Sequence, residues 1–244
     1  MSRLIVVPTP IGNRADITQR AIEVLTAADF VLAEDTRTTG ALLRHYGIEA
    51  RLRSFHMRNE HLKVEALVDE LAAGAIACMC SDAGTPGISD PGYLLVKACV
   101  EAGVDVECLP GATAFVPALV VSGLPCERFV YEGFLPHKKG RSTRLTALAA
   151  EPRTTVLYES PHRIQRLLLE LAEYCGPDRP VSVSREISKM FEETTRGTAA
   201  ELAAAWAVRK PKGEFVVVIG GREKPQSVKK SRAADQPHDP LRSA

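Results

Sequence analysis

Several functional classes lack their signatures in this sequence. The 244 residues carry no GxGxxG after the first strand-like run and no GxxxxGK[ST] anywhere, which argues against a dinucleotide or P-loop nucleotide site. There is no GxSxG, hence no nucleophile elbow. None of the six cysteines forms a CxxC, and no histidine pair stands beside them at ligand spacing. No metal is therefore expected, and the thiols are expected to be buried and reduced. No apolar run approaches the roughly 18 residues that cross a bilayer. The chain enters a strand-like run, Leu4-Ile5-Val6-Val7, without a leader-like segment, so a cytoplasmic protein with no membrane association is expected. Aromatic residues make up 5%, too few for extensive base stacking. Neither charge sign dominates: 31 Lys and Arg against 30 Asp and Glu leave a net +1, no global attraction to nucleic acid.

What is present is the makeup of a folded α/β protein, 45% apolar and 25% charged, long enough for two cores. Strand-like and helix-like segments alternate through the first half: residues 4–8, 30–33, 75–80 and 104–109 read as strands. The stretches opening at Asp16 (its N-cap) and covering 36–46, 60–72 and 93–102 read as helices. That alternation predicts right-handed βαβ units and a mostly parallel sheet. Beyond a small-residue helix at 113–122, the β-like runs 129–135, 154–158, 181–185, 191–196 and 214–219 are no longer regularly separated by helices (141–149, 162–174 and 199–207). A mixed sheet with a hairpin is predicted. The expected division is an N-terminal α/β domain over 1–120, a C-terminal α/β domain over 121–221, and a Lys-, Ser- and Pro-rich tail over 222–244 too poor in apolar residues to fold.

In an open α/β sheet, ligands bind beyond the carboxyl ends of the strands. Three glycine- and proline-punctuated loops fall there: Pro8-Thr9-Pro10-Ile11-Gly12-Asn13, the long Ser81 to Gly92 loop, and Pro110-Gly111-Ala112-Thr113-Ala114. Any one reads as a tight turn. Three at successive strand ends predict a rim of backbone donors and acceptors, suited to a small polar and aromatic ligand.

These loops, together with Glu34-Asp35-Thr36-Arg37, Leu157-Tyr158-Glu159-Ser160-Pro161-His162-Arg163 and Lys212-Gly213-Glu214-Phe215, resemble the tetrapyrrole methylase superfamily over residues 4–221. Within it they resemble the branch that methylates a ribose 2′-hydroxyl of small-subunit ribosomal RNA. The resemblance implies a homodimer of two-domain chains that hold S-adenosyl-L-methionine in the cleft between domains. It implies that Pro10 and Gly12 (first loop), Asp82, Ala83, Gly84, Thr85 and Pro86 (second), and Gly111, Ala112 and Thr113 (third) line the cofactor, with Phe134 and Gly213 closing the cleft. Porphyrin-modifying relatives carry more glycines in the first loop, where this chain keeps only Gly12; that departure argues for a different acceptor, and the resemblance implies that it is a cytidine at the decoding centre of 16S ribosomal RNA, free or in the 30S subunit.

A hydroxyl acceptor benefits from a general base. Glu34, Asp35, Asp82, Glu159 or a lysine of lowered pKa could supply one, and Glu34 and Asp35 are favoured because Arg37 adjoins them; the same acids are also what an ordinary helix start requires. RNA needs cations: Arg14, Arg37, Arg58, His137, Lys138, Lys139, Arg141 and Arg163 lie in or beside predicted loops, the densest being 135–141, and His56 is placed near the acceptor. Competing readings are a precorrin or porphyrin methyltransferase, a diphthine synthase-like enzyme, and a binding module without catalysis.

Overall fold

The computed structural model describes residues 2–222, so nearly all of the predicted tail lies outside the described residues. The first half is built from β1 (Arg3–Val6), α1 (Gln19–Ala27), β2 (Phe30–Ala33), α2 (Thr36–His45), β3 (Leu52–Ser54), α3 (Glu60–Ala72), β4 (Ile76–Cys80), α4 (Tyr93–Glu101) and β5 (Asp105–Cys108). Its five strands run parallel in the order β3-β2-β4-β1-β5. Alternation along β1 explains its burial on both faces. Leu4 and Val6 join Phe30, Leu32 and Leu71 in one core, while Ile5 and Val7 join Val31, Leu43 and Leu109 in the other. Strand β3 escaped the sequence reading because Leu52-Arg53-Ser54 has no apolar run. It forms because it pairs with β2, and Arg53 stacks 3.6 Å from the centroid of the Phe30 ring. Asp16 does not cap the first helix. It ends a short 3-10 turn capped by Asn13, and the Thr18 hydroxyl accepts from Ala21 N instead.

Helix α5 (Phe115–Val121) leads into β6 (Phe129–Phe134), α6 (Arg141–Ala150), β7 (Thr154–Glu159), α7 (Ile164–Cys175), β8 (Pro180–Arg185), β9 (Glu193–Thr198), α8 (Ala199–Ala207) and β10 (Phe215–Ile219). These strands form a mixed sheet ordered β6-β7-β10-β8-β9, with β6 and β7 parallel and the other pairs antiparallel. The predicted hairpin is β8 and β9. Phe215, Val217 and Ile219 face the core beneath α7 and α8, whereas Val216 and Val218 face Ala118 and Leu119 of α5. Helix α8 starts where it does because Thr198 and Glu201 close a capping box. Among the cysteines, Cys78, Cys80 and Cys99 are buried as expected, but Cys108 and Cys126 are exposed, since one ends an edge strand and the other sits in a turn. No helix among the described residues is long and apolar enough to cross a membrane.

Candidate active site

The three predicted loops meet and are stitched together. Thr9 N donates to Gly84 O at 2.8 Å and Gly84 N to Thr9 O at 2.9 Å, joining the first loop to the second. The Thr85 hydroxyl donates to Ala112 O at 3.0 Å, joining the second to the third. Two glycines are required here. Gly84 holds φ +85, and a Cβ on Gly111 would fall 2.6 Å from Pro8 Cβ, so only a bare backbone lets the first and third loops touch.

Beneath this rim lies a cavity of about 400 Å³ between the two sheets, within the range of small-molecule sites. The first half contributes Ile11, Glu34, Asp82, Ala83, Gly84, Thr85, Asp90 and Thr113 to its wall; the second contributes Phe134, Tyr158, Pro161, Ile187 and Phe215. Antiparallel pairing sets Phe215 opposite Glu159, so the carboxyl end of β7 and the amino end of β10 share one edge of the cavity. Pro10, Gly12, Pro86, Gly111, Ala112 and Gly213, expected against the cofactor, are not among the residues that line it. Ala112 and Gly111 hold the loops together, and Gly213, at φ +87, lets the chain turn past the Glu186 carboxylate.

Glu34, Asp82 and Asp90 are the acids that the first half brings to this wall; Glu159 and Glu214 join it from the second. The Glu34 carboxylate accepts from Asp82 N at 3.3 Å, and Asp82 Oδ1 accepts from Asp35 N at 3.1 Å, a reciprocal link between the ends of β2 and β4. Burial raises Glu34, offset in part by this backbone bond and by the charge of His56. Burial likewise raises Asp82. Asp90 is pushed up to about 6, first by burial and then by the charge of Glu34. It escaped the choice of bases because, within a Pro- and Gly-rich loop, nothing in the sequence tells which acid turns inward. The same holds for Tyr158 and for Ser89, which at φ 65 reaches across the cleft to Tyr131 at 2.8 Å.

Two candidate bases are otherwise engaged. Asp35 caps α2 and binds Arg37, whose guanidinium holds its carboxyl down at about 2, so it stays outside the cavity wall. Glu159, on the cavity wall, is buried, ion-paired with Arg163 Nε at 2.8 Å and accepting from Ser160 N at 2.7 Å. Two predicted RNA contacts are corrected as well. Arg141 is 3% exposed, with Nη2 2.6 Å from Glu170 Oε2 and Nη1 donating to Pro136 O at 3.1 Å. Arg163 is spent on Glu159 and on Leu135 O. Both act as struts under the basic loop, because a buried guanidinium must be paired and the nearest acids lie beneath. Arg14, Arg58, His137, Lys138 and Lys139 are exposed. Arg37 is exposed too, but paired to Asp35.

A cavity walled by stitched strand-end loops and divided between a parallel and a mixed sheet defines a class. The family model for tetrapyrrole (corrin/porphyrin) methylases matches residues 3–203, and the chain belongs to that family. Its fold matches the methyltransferase CobJ, with a TM-score of 0.68 at 20% identity over 91% of this chain and 95% of the other. It also matches uroporphyrin-III C-methyltransferase from Thermus thermophilus complexed with S-adenosylhomocysteine, at 0.60 and 20% over 88% and 96%. In sequence it is similar to ribosomal RNA small subunit methyltransferase I of Escherichia coli O157:H7, 48% identical over 99% of this chain and 83% of the relative. The same-named protein of Thermotoga maritima is 43% identical over 91% of this chain and 100% of the relative.

Proposed function

We propose that this protein uses S-adenosyl-L-methionine to methylate the ribose 2′-hydroxyl of a cytidine in small-subunit ribosomal RNA, at the decoding centre, in the cytoplasm. The observation that carries the reading is the cavity itself: aromatic rings of the second half facing Glu34, Asp82 and Asp90 of the first, in a chain similar over 99% of its length to a protein named for ribosomal RNA methylation. The donor set fits a cationic, purine-bearing cofactor. Asp82 to Thr85, Thr113, Phe134 and Phe215 would hold it, with the carboxylates complementing its charge and the rings its flat base. When bound, it supplies an electrophilic methyl group on a positively charged sulfur.

The chain's own task is to align an acceptor oxygen and take its proton. Asp90 is the best-placed base, since a carboxyl near 6 is ionised at neutral pH yet more basic than an ordinary aspartate. Glu34 neighbours it and holds the proton affinity up by its own charge. His137, Lys138 and Lys139, held by Arg141 and Arg163, supply phosphate contacts, joined by Arg14 and Arg58. The glycine-poor first loop and this basic loop favour RNA over a tetrapyrrole. A homodimer accords with the exposed Val116, Val120 and Val121 of α5 beside Phe129, an apolar face that a second copy would cover. The test is transfer of tritiated methyl to undermethylated 30S subunits, naked 16S ribosomal RNA and a precorrin. Label in either RNA substrate alone is expected; label in the precorrin alone overturns the reading.

A further inference from the structure

The rim of the cavity carries a feature that neither cofactor binding nor proton transfer uses. Between β8 and β9 the chain turns through residues 186–192, and the tip displays Met190 and Phe191, 90% and 66% exposed. This tip is built rather than loose. Glu186 and Ser188 adopt left-handed φ values of 52 and 67. Ser188 N donates to Glu192 Oε2 at 2.7 Å, and Arg185 Nη2 to Phe191 O at 3.3 Å. Lys189 Nζ bonds Glu186 and Glu214, each at 2.9 Å.

The hairpin is also moored to the opposite sheet. The Ser188 hydroxyl bonds Asp16, and the Lys189 stem fills the space that a side chain at Gly12 would need. Ile187 of the same turn lines the cavity. Two large apolar side chains are thus held in water at the edge of the site, where a position free to vary would favour polar residues.

The neighbouring charge says what covers them. Arg14, one turn from Asp16, lies 3.1 Å from His45 Nδ1. Arg14 forms no ion pair among the described residues, whereas the hairpin's own Lys189 and Arg185 are neutralised by Glu186, Glu214 and Glu193. An exposed aromatic on a hairpin moored through Ser188 and Asp16 to the short turn that carries Arg14 matches an unpaired nucleobase and its phosphate. We propose that Phe191, flanked by Met190, is a stacking platform for an unpaired RNA base next to the nucleotide whose ribose enters the cavity, with Arg14 taking an adjoining phosphate. This rests on the RNA reading above, and it makes one aromatic enough in a chain with few.

The test compares wild type, Phe191→Ala and Phe191→Trp in methyl transfer to undermethylated 30S subunits. Calorimetry with S-adenosylhomocysteine and sedimentation equilibrium accompany it. Phe191→Ala is expected to raise KM for the subunit about tenfold, the scale of one lost stacked base. Tryptophan should restore it, with cofactor affinity and mass unchanged. An unchanged KM in an active protein overturns the platform alone. So does a change in oligomeric mass, which would assign the tip to a second copy of the chain. Absence of transfer to any RNA by the wild type overturns the functional reading, and the platform falls with it.

Discussion

The two sheets reach the same cavity by different rules. In the first, every strand is parallel, so all carboxyl ends lie on one edge and the loops after β1, β4 and β5 converge on one place. In the second, β10 runs against β7, and a carboxyl end meets an amino end. The acids proposed to act on a reactant come from the first sheet; rings, a moored hairpin and buried struts come from the second. Parallel order concentrates chemistry, while mixed order builds walls around it.

Replacing Asp90 would break this contrast most sharply. Asp90→Asn is expected to lower kcat by about 10²–10⁴-fold while leaving S-adenosylhomocysteine affinity within a few-fold. In the wild type the base must be ionised, so kcat should fall as pH drops through about 6 and level off above it. Asp90→Asn should abolish that inflection; if it persists, Glu34 carries the proton instead. On the other sheet, Arg141→Ala removes charged hydrogen bonds to Glu170 and Pro136 while leaving Glu159 to Arg163 and Glu170 to Arg166, and is expected to lose about 1.5–3 kcal/mol of stability, measured by urea unfolding. A near-neutral result would mean the strut is dispensable.

Asp82→Ala removes the acceptor that ties β4 to β2 and should weaken S-adenosylhomocysteine binding by roughly tenfold, about 1.4 kcal/mol, in calorimetry. Unchanged affinity would remove that loop from the cofactor's wall. Smallest of all, Lys138→Ala with Lys139→Ala should lower the slope of log affinity against log salt by about 1.4 to 1.8, at unchanged cofactor affinity. Loss of cofactor binding instead would reassign the basic loop to the other side of the contrast.

Much of the first sheet was legible because its signals are local. Period-two and helical patterns, glycine stops and loop residues fall where the strands end, and Asp82, Gly84, Thr85 and Thr113 face the cavity as predicted. The errors share a cause. Arg141 and Arg163 read as solvent-facing cations because charge shows in a sequence while its burial does not, and Asp35 read as a base because a cap and a catalyst use the same residue. Phe191 passed unnoticed inside a predicted strand because exposure of an aromatic becomes visible only once the turn is in place.

What the sequence determined by itself was the order of every strand and helix but the short edge strand β3, the parallel and mixed sheets, and the loops that meet. Periodicity and backbone chemistry act over a few residues, and the chain spells them out. Which acid turns inward, which arginine is spent on a buried partner and which ring is left in water were decided by the tertiary structure. Those outcomes depend on distances between residues far apart in the chain, and on the desolvation that only a closed interior imposes.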